Sequence, residues 1–373
     1  MSVNNYYFMP NVKTEKSEFF DREDEIELIE KSIKTSPLIV IYGLRRMGKT
    51  SLLNVALNYK NLFYIIIDAR ELYNEKLKIS ENDFFYALLR EFSKKAGKIK
   101  QFKYALKDII SNISGVSIKG VDINFDIKHK RFRITDLLYE IDKYAHKKNK
   151  KFIIGIDEAQ YLRFSNSHFD ILFASFIDRF KNIGFILTGS EIGLLEKFLD
   201  IDNPDKPLFG RVYVKVLLDK FDDKKSREFL VNGFKQLDIK IDKKNLDDAI
   251  ELFNGNAGWL TMYGYYTGLL KYNTDAAMEE VINYATKLEL SELNSAIMYS
   301  KERYLSILKA IAMEYKQWKK IKDYTMVNGN EYIDDKIFNR LLNRLIDYGF
   351  VYRNSDGYYL VDNILKIAIN SLK

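Results

Sequence analysis

The sequence contains no cysteine, which excludes disulfides and thiolate chemistry and makes a reducing cytoplasm the simplest setting. Histidine is scarce as well. His129, His146 and His168 are scattered without metal-ligand spacing, so they read as surface residues rather than a zinc site. No apolar run approaches the ~20 residues that a bilayer span needs. The opening segment MSVNNYYFMP lacks a basic stretch followed by an apolar core and does not read as a signal peptide. Internal repeats, low-complexity segments and an Asn-Lys-x-Asp guanine reader are missing too. The expectation is a soluble, cytoplasmic chain with no membrane partner.

Core material is ample: 47% of the 373 residues are hydrophobic, enough for two to three domains. The net charge of +7 is compatible with nucleic acid or an acidic partner and establishes neither.

Four short apolar runs, PLIVIY (37–42), LFYIIID (62–68), KFIIGID (151–157) and IGFILTG (183–189), are apolar on both faces. That is the pattern of buried parallel strands. Helical patterns at 21–33, 50–59 and 134–148 separate them, which predicts an α/β fold, a parallel sheet flanked by helices. A stretch at 114–130 alternates around Gly120 and reads as an inserted β-hairpin, preceded by the helix QFKYALKDIISNI. After residue 212 amphipathic helices follow one another, a helical bundle packed on the sheet. From about residue 300 the order helix, helix, helix, hairpin is that of a winged helix, with Asp356-Gly357 in the turn. The expected units are 1–212, 213–298 and 299–373.

The stretch GLRRMGKTSLL (43–53) fits G-x-x-x-x-G-K-[ST], with an apolar strand before it and a helix after it. In that context the backbone N–H groups and the helix dipole face phosphates. Lys49 would reach the β and γ phosphates and Thr50 would hold Mg²⁺. The alternative is a glycine turn holding a chance lysine. A P-loop calls for an acidic strand end, and FIIGIDEAQ supplies Asp157 for the metal and Glu158 to polarise the attacking water. That pair favours hydrolysis over binding alone. Thr188 and Ser190 in FILTGS place hydroxyls near the γ-phosphate, or simply end a strand. Asp68 and Arg70 would face the site or only each other.

Together these stretches resemble archaeal ATPases of the STAND group, relatives of AAA+ proteins within the P-loop class. The resemblance spans roughly residues 17–360, through FFDRE (19–23), GLRRMGKTSLL, IIDARE (66–71), IIGIDEAQ (153–160), LTGSEIGLLEKFL (187–199), PLFGR (207–211) and LFNGNAGWLTMYG (252–264). It implies an ATP-driven switch with a sheet domain, a helical lid and a C-terminal winged helix, binding ATP or ADP with Mg²⁺. It further implies that Arg22 and Glu23 lie by the adenine and that Gly43, Arg45, Arg46, Met47, Gly48, Lys49, Thr50 and Ser51 form the phosphate loop. By the same resemblance Thr188-Gly189-Ser190 is the sensor position, with Ser190 a catalytic candidate, and Arg211 contacts phosphate in cis or from a neighbouring subunit, or else makes a structural salt bridge. One departure stands out: Ala257 occupies the place of a proline expected in the lid motif, and Trp259 beside it reads as a core anchor.

The third helix of the terminal unit carries Asn339, Arg340, Asn343 and Arg344 on its polar face, with Lys316, Lys319, Lys320 and Lys322 on the preceding segment. That face suits duplex DNA or a protein partner, Asp334, Asp335 and Asp347 arguing for the latter. The leading reading is a slow regulatory ATPase with the winged helix as output. The alternatives are an ATPase whose nucleotide controls loading on duplex DNA, a nucleotide-holding scaffold and, more distantly, a small-molecule kinase. Self-association and the role of the inserted hairpin stay open.

Overall fold

The four apolar runs form strands of one parallel sheet, and a fifth strand joins them. The computed structural model describes residues 6–58, 62–113, 116–119, 122–125 and 133–372. Its strands are β1 (Leu38–Tyr42), β2 (Phe63–Asp68), β3 (Val116–Lys119), β4 (Asp122–Phe125), β5 (Phe152–Asp157), β6 (Ile183–Gly189), β7 (Val214–Leu217), β8 (Val351–Asn354) and β9 (Gly357–Leu360). The main sheet runs β2-β5-β6-β1-β7 with every pair parallel.

Strands β1, β5 and β6 are buried along their whole length because helices cover both faces. Successive side chains of β1 enter opposite layers: Leu38, Val40 and Tyr42 one, Ile39 and Ile41 the other. The first layer is rich in aromatics, with Phe84, Phe92, Phe102, Phe152 and Phe185 under the helices Glu81–Lys98, Lys100–Ile110 and Ile134–Lys147. The second is aliphatic, built from Ile26, Ile29 and Ile33 of the helix Glu23–Thr35 and Leu52, Leu53 and Ala56 of the helix Lys49–Leu57.

Strand β7 (Val214–Leu217) lies beyond residue 212, where a mostly helical pattern was expected. It pairs with β1 from Ile39↔Val214 to Tyr42↔Leu217, so the sheet extends to Leu217. At the sheet's edge its Val-Lys-Val-Leu sequence buries little beyond Val216 and never forms a continuous apolar run. The insert holds the antiparallel pair β3–β4, in register from Val116↔Phe125 to Lys119↔Asp122. Its expected turn at Gly120 and residues 126–130, His129 among them, lie outside the described residues.

The helical layer comprises Asp223–Lys235, Lys243–Phe253, Ala257–Gly264 and the long helix Thr274–Ala296, which the sequence reading lacks. Asp222, Asp242, Asn256 and Asn273 cap these helices by accepting backbone N–H groups. The winged helix follows as Lys301–Ala312, Trp318–Gly329, Asp335–Asp347 and the hairpin β8–β9. A last helix, Asn363–Asn370, bridges the two: Ile364 enters the lid core, Leu365 and Ile369 the winged-helix core.

An N-terminal strap ties the lid to the sheet unit. Phe8 is wholly buried in the lid core, in a socket floored by glycines. A Cβ at Gly233 would lie 2.2 Å from the Phe8 ring, and one at Gly264 2.3 Å. Beside it, the Tyr7 N–H donates to Gln236 Oε1 at 2.9 Å. Further on, the Lys13 N–H donates to Ser51 Oγ at 3.1 Å, reaching the helix Lys49–Leu57.

The socket makes a signed prediction. Gly233→Ala will destabilise the protein by about 1–3 kcal/mol through overpacking. In a Phe8→Ala background the same substitution will stabilise by up to about 1 kcal/mol, since only helix propensity remains. Denaturant midpoints of the unaltered protein and the three variants check this; a Gly233→Ala effect of the same sign in both backgrounds contradicts it.

Candidate functional site

The loop between β1 and the helix Lys49–Leu57 is shaped by two glycines. Leu218 crosses β1's end, its N–H donating to Tyr42 O at 2.7 Å. A Cβ at Gly43 would sit 2.6 Å from Leu218 O, so only glycine fits. Gly48 caps the helix with φ +92°, a conformation that side chains rarely adopt. The loop therefore wraps back over the helix N-terminus, where N–H groups collect.

The parallel register brings the acidic strand ends beside this loop. Asp68 and Asp157 are level across β2 and β5, and Tyr42 and Gly189 across β1 and β6. Thr50 Oγ1 donates to Asp157 Oδ2 at 2.7 Å, and Thr188 Oγ1 donates to Asp157 Oδ1. Glu158 takes a left-handed conformation, φ +51°, at the strand's end. Its Oε2 accepts from Gln160 Nε2 at 2.6 Å, Ser190 Oγ at 2.7 Å and the Ser190 N–H at 3.2 Å.

These environments split the two acids. Burial raises the pKa of Asp157, opposed by the hydroxyl donors Thr188 and Thr50. Burial also acts on Glu158, but Lys49 and the donors from Ser190 and Gln160 outweigh it and hold the carboxyl below its ordinary value. Burial pulls Lys49 down to about 8, against Glu158 and Asp157. Its Nζ donates to Leu44 O at 2.6 Å.

A cleft of about 960 Å³ opens over this loop, of the size that takes a nucleotide-sized ligand. Arg22, Arg45, Arg46, Met47, Gly48, Lys49, Thr50, Ser51, Glu158 and Ser190 line it. Asp157 lies buried beneath Thr50. Arg22 is held by Asp219 O at 2.5 Å and Glu25 at 3.1 Å, its guanidinium over the Phe221 ring. Glu23 opens the following helix, is exposed and does not line the cleft. Neither does Arg211, whose guanidinium pairs with Asp178 at 2.6 Å and donates to Pro207 O. Arg70 lines the cleft and pairs with Asp68 at 2.9 Å, while Asp68 itself does not line it, so of the two strand-end groups only the arginine faces the site.

At Ala257 the missing proline is compensated. Ala257 is the first residue of its helix, and Asn256 Oδ1 accepts the N–H groups of Gly258 and Trp259 at 3.1 and 3.3 Å. That cap fixes the turn a proline would stiffen. Trp259 is buried in the lid core, with the Arg46 guanidinium 4.4 Å from its ring centroid.

Several site residues escaped the sequence reading. Glu191 pairs with Arg45 at 2.9 Å and Arg163 at 3.4 Å. Glu289 and Glu292 pair with Arg46 at 2.7 and 2.6 Å. A signal existed for Glu289. Ala277, Val281, Ala285 and Leu293 form a buried stripe at intervals of four, and Glu289 is the acid in its middle.

The comparisons with known proteins agree with this geometry. Residues 19–263 match a family described as an ATPase domain predominantly from Archaea, and residues 299–361 match the C-terminal winged helix-turn-helix domain of MCM proteins. A Walker-type ATPase of Pyrococcus abyssi is 32% identical, covering 97% of this chain and 99% of that one, with a TM-score of 0.85. The ORC2 protein of Aeropyrum pernix, solved as ADPNP–ADP complexes, is 14% identical over 98% of this chain and 97% of that one at a TM-score of 0.59, a likeness of fold. No curated protein matches.

The Lys49 environment makes ligand binding pH-dependent. A polyphosphate favours the charged amine, so the bound state raises the pKa that burial lowers. Below pH about 8 the free lysine is already charged and affinity is flat; above it, binding must take up a proton and affinity falls, by up to about tenfold per unit. Calorimetric titration of ATP in buffers of different ionisation enthalpy will show proton uptake at about pH 9 and little at about pH 7. Equal proton counts at both contradict the assignment.

Proposed function

On the premise that the chain belongs to the family of ATPase domains found predominantly in Archaea, we propose that it binds ATP and hydrolyses it slowly, as a Mg²⁺-dependent regulatory switch with the winged helix as output. One observation carries the reading: Lys49 and Thr50 of the loop converge with Asp157, Glu158 and Ser190 of the strand ends.

Thr50 Oγ1 and Asp157 Oδ2 would hold the magnesium ion, since they already converge at 2.7 Å and offer the hard oxygen ligands it requires. When bound, the ion neutralises phosphate charge. The rest falls to the chain. Lys49 binds the β and γ phosphates, the loop N–H groups cradle them, and Arg22 borders the cleft on the base side. Glu158, ionised, orients a water and accepts its proton as the water oxygen bonds to the γ-phosphorus and the bond to the β–γ bridging oxygen breaks. ADP and inorganic phosphate result. Ser190 and Gln160 hold Glu158 through one oxygen, which lowers its basicity and supports slow turnover. Arg211, outside the cleft, would touch phosphate only from a neighbouring copy.

A second reading has ATP control loading on duplex DNA. Asn339, Arg340, Asn343 and Arg344 are exposed along one face of the helix Asp335–Asp347, with Lys319 and Lys320 exposed nearby. Lys322 does not join them, because it is buried and paired with Asp335. Protein partners fit the same exposed face. No helix among the described residues is long and apolar enough to cross a membrane.

Two experiments test these readings. Glu158→Gln will retain ATP binding while single-turnover hydrolysis falls roughly 10²–10⁴-fold; unchanged hydrolysis sinks the assignment. For DNA, Arg340→Ala/Arg344→Ala will weaken duplex binding in fluorescence anisotropy and reduce the log–log salt slope by about 2. No binding by the unaltered protein at low salt rejects that second reading.

A further inference from the structure

Arg45 and Arg46 connect every unit of the fold. From Arg45, Nη1 donates to Tyr348 O of the winged helix at 2.8 Å, Nη2 pairs with Glu191 after β6 at 2.9 Å, and Nε pairs with Glu292 of the lid at 3.0 Å. From Arg46, Nη1 pairs with Glu289 at 2.7 Å, Nη2 with Glu292 at 2.6 Å, and the carbonyl accepts the Gly258 N–H at the lid helix N-terminus at 3.0 Å. Both arginines line the cleft, yet both guanidiniums are committed to protein acids.

The same junction touches the proposed base. Glu191 is adjacent to Ser190, which holds Glu158. Arg163 pairs with Glu191 and donates to Gln160 O at 2.9 Å, and Gln160 is the other side chain on Glu158. Gln160 is fully buried with its Oε1 unpartnered, so its amide is held on Glu158 without a counter-bond. The winged helix is also docked directly: Asp347, beside Tyr348, pairs with Lys197 of the helix Ile192–Leu199.

We propose that Arg45 and Arg46 with Glu191, Glu289 and Glu292 form a latch that holds lid and winged helix shut on the phosphate loop and holds Glu158 in its restrained arrangement, so that phosphate occupancy and winged-helix release act through the same guanidiniums. This rests on the ATPase reading for its effect on turnover, but not for its effect on domain position. Partly buried ion pairs suit a latch. Desolvation offsets much of their attraction, so the closed state is specific without being strongly favoured. A phosphate is a competing partner for a guanidinium that a carboxylate already holds. Glu289, Glu292 and Glu191 are thus positioning residues.

The experiment uses the full chain. Because the sequence has no cysteine, Lys181→Cys and Lys320→Cys, both at exposed positions in the sheet unit and the winged helix, can carry a pair of spin labels. Glu289→Gln/Glu292→Gln is compared with the unaltered protein for label separation and for ATP turnover. The expected result is a new, longer separation and a kcat raised about fivefold or more. Lys197→Glu, a surface change that repels Asp347, will act in the same direction and guards against misfolding of the buried variant. Separations unchanged in both variants overturn the latch. So does a longer separation with unchanged kcat, provided the unaltered protein turns over. If no form turns over ATP, hydrolysis is refuted and the separations alone decide the latch.

Discussion

Three guanidinium groups and three carboxylates meet where the phosphate loop, the lid and the winged helix converge: Arg45, Arg46 and Arg163 against Glu191, Glu289 and Glu292. Each charge taken from water costs several kcal/mol unless a partner compensates it. The position of each unit is therefore conditional on the others. Glu289 feels this most. Burial pushes its pKa up, Asp362 and Glu292 add to the rise, and the Arg46 guanidinium opposes it. Such a junction selects one arrangement of three units without locking it, because attraction and desolvation are of similar size. The arginines responsible belong to the same loop as the glycines and lysine of the proposed phosphate site, so domain arrangement and the proposed ligand chemistry share a single turn of backbone.

The lid has a second attachment of a different kind. Phe8 sits in a glycine-floored socket, an apolar contact that neither protons nor salt weaken, and the strap continues to Ser51 of the loop's helix. Ion pairs exchange partners; a buried ring does not. The lid is tethered through the strap and adjusted through the junction. The helix Asn363–Asn370 extends the tether, because Ile364 seats in the lid core while Leu365 and Ile369 seat in the winged-helix core. A movement of the lid then carries the winged helix with it, unless the Tyr348 and Asp347 contacts keep the winged helix on the sheet unit.

Features whose cause is local were legible in the sequence. The central strands are apolar on both faces because both are buried, and Gly43 through Thr50 announce a turn that only glycines permit. The winged helix was legible from element order, its exposed Asn339, Arg340, Asn343 and Arg344 from helical spacing. Features that depend on distant partners were not. Strand β7 carries no strand signal of its own because an edge strand needs only one buried side chain, here Val216. Glu23 and Arg211 carry the right chemistry, but exposure of the first and the Asp178 pairing of the second keep both from the cleft. Glu289 was hidden in a helix that the reading omitted, although an acid in a stripe of Ala277, Val281, Ala285 and Leu293 marks a charge awaiting a partner from elsewhere.

Asp157 and Glu158 show how adjacent acids acquire different work. The backbone of Glu158 leaves the strand conformation at φ +51°, and the two carboxylates take different partners. Lys49 and donors from Ser190 and Gln160 act on Glu158 and hold its carboxyl below the ordinary value, against burial. Asp157 receives only hydroxyl donors, from Thr50 and Thr188, and burial raises its pKa. Pairs of titratable groups whose surroundings push them apart reveal their division of labour. Here one carboxylate lies in the field of a lysine, and the other stands among hydroxyls that direct its oxygens without neutralising them. A carboxylate so held suits a cation from outside the chain, which is the part assigned to Asp157, while the acid beside Lys49 suits the water. The two proposed roles rest on these environments, since the acids themselves are neighbours in sequence and nearly identical in chemistry.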